Sequence, residues 1–102
     1  MRLVELAHAR SGDKGDVSNI AVIAYDLADY ERIRQALSVA RVKAHFSEWV
    51  LGEVVRYELP QLGALNFVLY QALGGGVTRS LALDAHGKSL SSALLNITIP
   101  SA

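Results

Sequence analysis

"QLGALNFVLYQALGGG", residues 61–76, decides the fold by how it is read. Leu62, Leu65, Leu69 and Leu73 recur three or four residues apart, the spacing of one helix face. Gly74, Gly75 and Gly76 then end the run. The stretch reads as a buried helix. Asn66 is its odd polar residue, which needs hydrogen-bond partners or points into a pocket. Upstream, "EVVRYEL" (53–59) alternates, with Val55, Tyr57 and Leu59 on one face and Arg56 and Glu58 on the other. That is a strand with one polar face, ended by Pro60. Downstream, "VTRSLALD" (77–84) reads as a strand and "DAHGK" (84–88) as a turn. "ALLNITI" (93–99) reads as a last strand after a short helical turn at "SLSS".

Further out, "RLVELAHA" (Arg2–Ala9) and "NIAVIAY" (Asn19–Tyr25) read as strands, the second apolar enough to be central. Joined by about nine residues, they are antiparallel neighbours, because a parallel crossover needs a dozen or more. "DLADYERIRQALS" places Leu27, Tyr30, Ile33 and Leu37 at helical spacing. A second helix gathers Val39, Val42, Phe46, Trp49 and Val50, with Ser38 as its cap and Gly52 as its stop. The order β-β-α(α)-β-α-β-β implies an α+β two-layer sandwich: four to five mostly antiparallel strands with helices packed on the sheet.

The chain has 102 residues, 51% of them hydrophobic, which suits a single domain spanning residues 1–102. It has no Cys, so thiolate chemistry, disulfides and Cys-based metal sites are excluded. Ten basic and ten acidic residues leave no surplus for nucleic acid, and a formal net charge of zero favours self-association. "MRLVELAHAR" lacks the apolar core of a signal peptide, and no apolar run approaches ~20 residues. The expectation is a cytoplasmic protein without membrane contact.

Two glycine-bearing stretches are the candidate sites. "HARSGDKGDVSN" (8–19) concentrates charge between apolar runs. As a loop, Gly12 and Gly15 let backbone N–H groups converge, with Arg10 and Lys14 adding positive charge, the makings of an anion nest. Asp13, Asp16 and Asn19 offer oxygens to a hard cation instead, and the same residues also serve plain turn chemistry. The phosphate-loop spacing is missing. In "ALGGGVTRS" (72–80), Gly74, Gly75 and Gly76 expose backbone ahead of Thr78 and Arg79. The turn runs from helix to strand, opposite to the dinucleotide-binding arrangement, so that fingerprint is rejected. Of the three His residues, none forms an i, i+4 zinc pair. His8 borders the charged stretch and is the better acid–base candidate, with Asp13 the other. Ser11 as its nucleophile would lack the G-x-S-x-G elbow. His45 and His86 read as structural or solvated. No metal site and no cofactor is expected.

The motifs "ARSGDKG" (9–15), "YELPQLGALNFVL" (57–69) and "ALGGGVTRSL" (72–81) resemble the small C-terminal domain of the acyclic terpene utilisation (AtuA-like) proteins, which also occurs as a free-standing chain. The resemblance runs from Leu3 to about Ile99. It implies a ferredoxin-like fold or a variant of it. It also implies a setting in bacterial breakdown of acyclic terpenes such as citronellol and geraniol, close to acyl-CoA carboxylase steps. It supplies no catalytic residue. The first reading is a small accessory subunit that docks on a large AtuA-like chain and does not itself catalyse. The alternative is an independent ligand-binding module or small enzyme acting on an acyl-CoA or carboxylate. There Arg10, Ser11, Gly12, Asp13, Lys14, Gly15, Asn19 and Asn66 would meet Gly74, Gly75, Gly76, Thr78 and Arg79 around an anionic group. A third reading is a structural homo-oligomer. The ligand reading requires the "GDKGD" and "GGGVTR" stretches to be neighbours.

Overall fold

The computed structural model describes residues 1–14, 17–47, 50, 52–71 and 89–100. Two hairpins build its sheet. β1 (Ala7–Lys14) pairs with β2 (Val17–Ala24), and β3 (Val54–Leu59) pairs with β4 (Ala64–Leu69). β2 also pairs with β4, which gives the order β1-β2-β4-β3, antiparallel throughout. Helices α1 (Tyr30–Ala36) and α2 (Val39–His45) connect the hairpins, and α3 (Ser89–Leu94) follows. β2 and β3 run parallel with β4 between them, a split β-α-β unit. The run β2-α1-α2-β3-β4-α3 follows most of the ferredoxin-like order, and β1, which precedes it, takes the edge beside β2. The fold is thus the expected α+β sandwich: a four-stranded antiparallel sheet with helices packed on it.

One face of the sheet carries the core. Ile20 and Val22 from β2, Leu65, Phe67 and Leu69 from β4, and Val54 from β3 pack with Ile33 and Leu37 near α1, Val42 and Phe46 from α2, and Leu90 and Leu94 from α3. α2 starts where Ser38 accepts the Arg41 N–H at 3.1 Å, the expected cap.

Several expectations are corrected. Residues 61–71 hold no helix: Pro60–Leu62 is one 3-10 turn and β4 follows. Leu65, Phe67 and Leu69 alternate into the core at a period of two, and the ladders to β2 and β3 on either side hold the run extended. Gly63 makes the turn possible, with φ of 62° in the left-handed region. The strand assigned to Arg2–Ala9 begins only at Ala7. Leu3–Glu5 is a 3-10 turn that buries Leu3 and Leu6, and the Glu5 carboxylate accepts the Arg2 N–H at 2.8 Å. The described part of the charged stretch, 8–14 and 17–19, is no loop: it is strand, paired residue by residue from His8↔Ile23 to Lys14↔Val17. β1 is an edge strand among the described elements, so charge is tolerated along it.

The polarity of β3 is also the reverse of the amphipathic reading. Arg56 and Glu58 share the helix-covered side with Val54, while Val55, Tyr57 and Leu59 point the other way. Arg56 donates to the carbonyls of Arg34 (2.8 Å) and Leu37 (3.0 Å), filling the acceptors that the end of α1 leaves open. Leu27 and Val39 are exposed rather than core. α2 ends at His45, so Gly52 is not its stop. Gly52 is needed where the chain passes Tyr70: a Cβ there would meet the Tyr70 carbonyl oxygen at 2.6 Å, and its N–H donates to that oxygen at 3.0 Å. "ALLNITI" is not a strand. Leu90 and Leu94 bury one face of α3, and beyond it only Thr98 bridges to Arg2. The strand expected at 77–84, the turn at 84–88 with His86, and Trp49 lie outside the described residues. Among the described residues no helix is long and apolar enough to cross a membrane.

Candidate functional site

Strand alternation sorts the candidate residues. His8, Arg10 and Gly12 of β1 face away from the helices, as do Asn19, Ala21 and Ile23 of β2, Asn66 and Val68 of β4, and Val55, Tyr57 and Leu59 of β3. The ladders align them in rows: His8–Ile23–Ala64–Leu59, Arg10–Ala21–Asn66–Tyr57 and Gly12–Asn19–Val68–Val55. Among the described residues this open face carries no helix. Ser11 lies on the other face, its hydroxyl 3.4 Å from that of buried Ser91 in α3. Strand geometry thus separates Ser11 from His8 and leaves no nucleophile–base pair between them.

Asp13 and Lys14 register with Ser18 and Val17 at the closed end of the first hairpin. Gly15, Gly74, Gly75, Gly76, Thr78 and Arg79 lie outside the described residues, and so does the convergence expected of them. Gly12 has a local reason. A Cβ there would come within 3.0 Å of Asn19 Oδ1, so the Asn19 carboxamide lies over the place a side chain would fill. Ser18, buried, donates its hydroxyl to the Gly12 carbonyl at 3.0 Å.

At one end of the face the His8 ring stacks on Tyr25, with centroids 5.5 Å apart and planes at 22°. In the central row Asn66 Oδ1 is buried and has no donor among the described residues. Tyr57, beside it on β3, is 52% exposed. The face therefore carries the Arg10 cation along β1 and aromatic and aliphatic side chains along β3. Tyr57, Leu59 and Tyr25 escaped the reading of the sequence as site residues. The signal for Tyr57 and Leu59 was the alternation of 53–59, assigned to the wrong face.

A second feature lies at the end of the sheet. Ala24 N–H donates to the Gly63 carbonyl at 2.9 Å, which brings 24–27 against 59–63. Leu27 lies over Gly63, its Cδ2 within 2.7 Å of where a Cβ would be. Tyr25 (66% exposed), Leu27 (63%), Leu62 (67%) and Leu59 leave a band of apolar side chains in solvent. A depression of about 270 Å³ runs along Glu58–Leu62 beside it.

The ionisable groups are mostly tied to structure. On the helix-covered side Tyr30 is buried with its hydroxyl unpaired among the described residues. Burial first, and then the charge of Glu58, push its phenol above 10.0, against opposition from Arg34 and Arg56. Glu31 is held below its usual value by hydrogen bonds from Arg34 and Gln35. A shallow groove of about 430 Å³ between α2 and the segment 96–98 is lined by Arg41, His45 and Asn96. There Arg41 donates to the Thr98 carbonyl, and the His45 Nε2 lies 2.8 Å from the Ala93 oxygen, so both pin α2 to the C-terminal segment. No group of three His, Asp or Glu able to hold a metal gathers among the described residues.

Compared with known families, residues 1–100 match the family model described as the AtuA ferredoxin-like domain. No curated protein and no solved structure matches the chain.

Proposed function

Since the chain belongs to the AtuA ferredoxin-like domain family, we propose that it is an accessory module that docks on a larger AtuA-like chain. The setting proposed with it is the breakdown of acyclic terpenes or their acyl-CoA derivatives. The observation that carries this reading is the apolar band at the end of the sheet. A small chain with zero net charge leaves Tyr25, Leu27, Leu59 and Leu62 side by side in water. Covering such a band stabilises a complex by about 25 cal/mol per Å² of apolar surface removed from water. The resemblance to a domain that is normally part of a larger AtuA-like protein supports a large AtuA-like chain as the occupant.

The test uses purified chains. The domain is titrated into a purified large AtuA-like chain and complex formation is followed by size-exclusion chromatography. The expected result is a complex that Leu27→Glu with Leu62→Glu weakens at least about tenfold, while the melting temperature of the domain holds. Absence of any complex, or a complex indifferent to the double variant, overturns the reading.

A further inference from the structure

The groove between α2 and the segment 96–98 gathers more hydrogen-bond donors than the chain uses. The segment is extended and alternates: Ile97 and Ile99 are buried, while Asn96 and Thr98 are exposed on the other side. The Leu3 N–H donates to the Ile97 carbonyl at 2.8 Å, and Arg2 bridges to Thr98, which holds the segment in place. Two guanidiniums reach it, one from the N-terminal segment and one from α2. Arg2 Nη1 donates to Asn96 Oδ1 at 3.3 Å. Arg41 donates to the Thr98 carbonyl and, at 3.4 Å, to that of Ala36. A guanidinium has more N–H donors than these bonds use. With its oxygen taken by Arg2, Asn96 keeps its amide N–H groups to offer, and Thr98 adds a hydroxyl.

No carboxylate answers these donors. Arg32, Arg34 and Arg56 each hold Asp29, Glu31 or Glu58, whereas Arg2 and Arg41 hold only neutral oxygens. Neither α2 nor residues 89–100 contain an Asp or a Glu. From this we infer that the groove is an anion site for a phosphate group, with Arg41, Asn96 and Thr98 on its floor and Arg2 at its border. Donors that converge from two elements and from the segment between them suit a tetrahedral oxyanion, which accepts from several directions, better than a planar carboxylate. The volume of about 430 Å³ leaves room for a small organic body on the phosphate. Asn96, Thr98, Ala44 and His45 are all exposed, so the groove is open to solvent. None of its residues belongs to the apolar band at the end of the sheet, so phosphate and the larger chain do not compete for side chains.

The exposure sets the strength. A few charge-assisted hydrogen bonds made in water give a dissociation constant on the order of 1 mM, weakened by salt.

Nuclear magnetic resonance titration of the chain with inorganic phosphate, at low ionic strength, tests the inference. The Asn96 side-chain amide, the Arg41 Nε–H and the backbone of 96–98 should shift together and saturate. Asn96→Asp keeps an oxygen for Arg2 but exchanges the amide donors for a negative charge. It should raise the dissociation constant about tenfold or more while the thermal midpoint holds. Arg41→Lys should weaken binding several-fold, because an ammonium lacks the guanidinium fork. Arg10→Gln, a cation removed from the open sheet face, should leave binding unchanged. A parallel titration with glycerol phosphate separates the sources: tighter binding than inorganic phosphate assigns the site to a phosphate monoester, and equal binding to the free ion. Either result sustains the inference. It is overturned by the absence of a saturable shift up to about 20 mM phosphate, by acetate binding as tightly as phosphate, or by an Asn96→Asp variant that binds like the parent. Equal loss in Arg10→Gln overturns it too, since net charge and not the groove would then hold the ion.

Discussion

The two faces of the sheet are built from the same strands by different demands. Along β4 the covered side presents Leu65, Phe67 and Leu69, while the open side presents Asn66 and Val68. Along β3 the polarity turns over: the covered side presents Arg56 and Glu58, the open side Val55, Tyr57 and Leu59. The reversal has a local cause. The end of α1 leaves carbonyl groups without intrahelical partners, and a donor from the sheet beneath meets those of Arg34 and Leu37. Arg56 is that donor, 18% exposed, with its outer nitrogen bound to Glu58 at 2.9 Å. The apolar residues of β3 are then left to the face where another protein surface can cover them. A strand's buried side is thus set by what lies above it and not by its hydrophobicity alone.

The largest difference between the faces should appear in stability. Phe67→Ala removes a fully buried ring from the covered side and should destabilise the chain by about 3–5 kcal/mol. Its neighbour Val68→Ala, on the open side, should cost less than about 1 kcal/mol. Urea unfolding of both variants checks the contrast, and comparable losses would mean that the open side is also core.

Next in size is the polar pillar of the covered side. Arg56→Ala strands the carbonyls of Arg34 and Leu37 and should cost about 1–3 kcal/mol. Arg56→Lys should recover only part of this, because one ammonium cannot reproduce the guanidinium fork. Hydrogen exchange should show the loss first at the end of α1. A loss spread evenly over the chain would mean that Arg56 acts by packing.

The same contrast explains what the sequence discloses. α1 and α2 are legible because their signals are local: Ile33 and Leu37 four residues apart, Val42 and Phe46 likewise, and Ser38 bonding its own helix. β4 is not, because Leu62, Leu65 and Leu69 fit a helix while Leu65, Phe67 and Leu69 fit a strand, and periodicity cannot choose within so short an apolar run. The choice is made by β2 and β3, far away in sequence. The first hairpin hides its strands behind Gly12, Asp13 and Lys14, which are turn residues anywhere except on an edge with one open face. Of the candidate site, the residue types were visible but their sorting was not. Once 7–14 is a strand, Arg10 and Gly12 part from Ser11 and join Asn19 and Asn66. Tyr57 reads from the sequence as core or interface, with Trp49 and Phe46, and it lies exposed because Arg56 occupies the side that its alternation reserved for solvent.

The smallest effect concerns Tyr30, the group beneath that pillar. Its hydroxyl is buried with no partner among the described residues. Tyr30→Phe removes the cost of desolvating it and should stabilise the chain by about 1 kcal/mol. The pH dependence carries the sharper test. Burial raises the folded phenol above 10.0, with Glu58 adding to the shift and Arg34 and Arg56 opposing it. The folded state therefore holds its proton where the unfolded state releases it. The stability that rests on the neutral phenol is whole below the unfolded value, and is lost as pH rises from there through the folded one. Unfolding midpoints from about pH 8 to about pH 11 should fall more steeply for the parent than for Tyr30→Phe. If the two alkaline limbs coincide, Tyr30 is hydrated in solution, and the covered face opens at the side where Arg56 and Glu58 hold it.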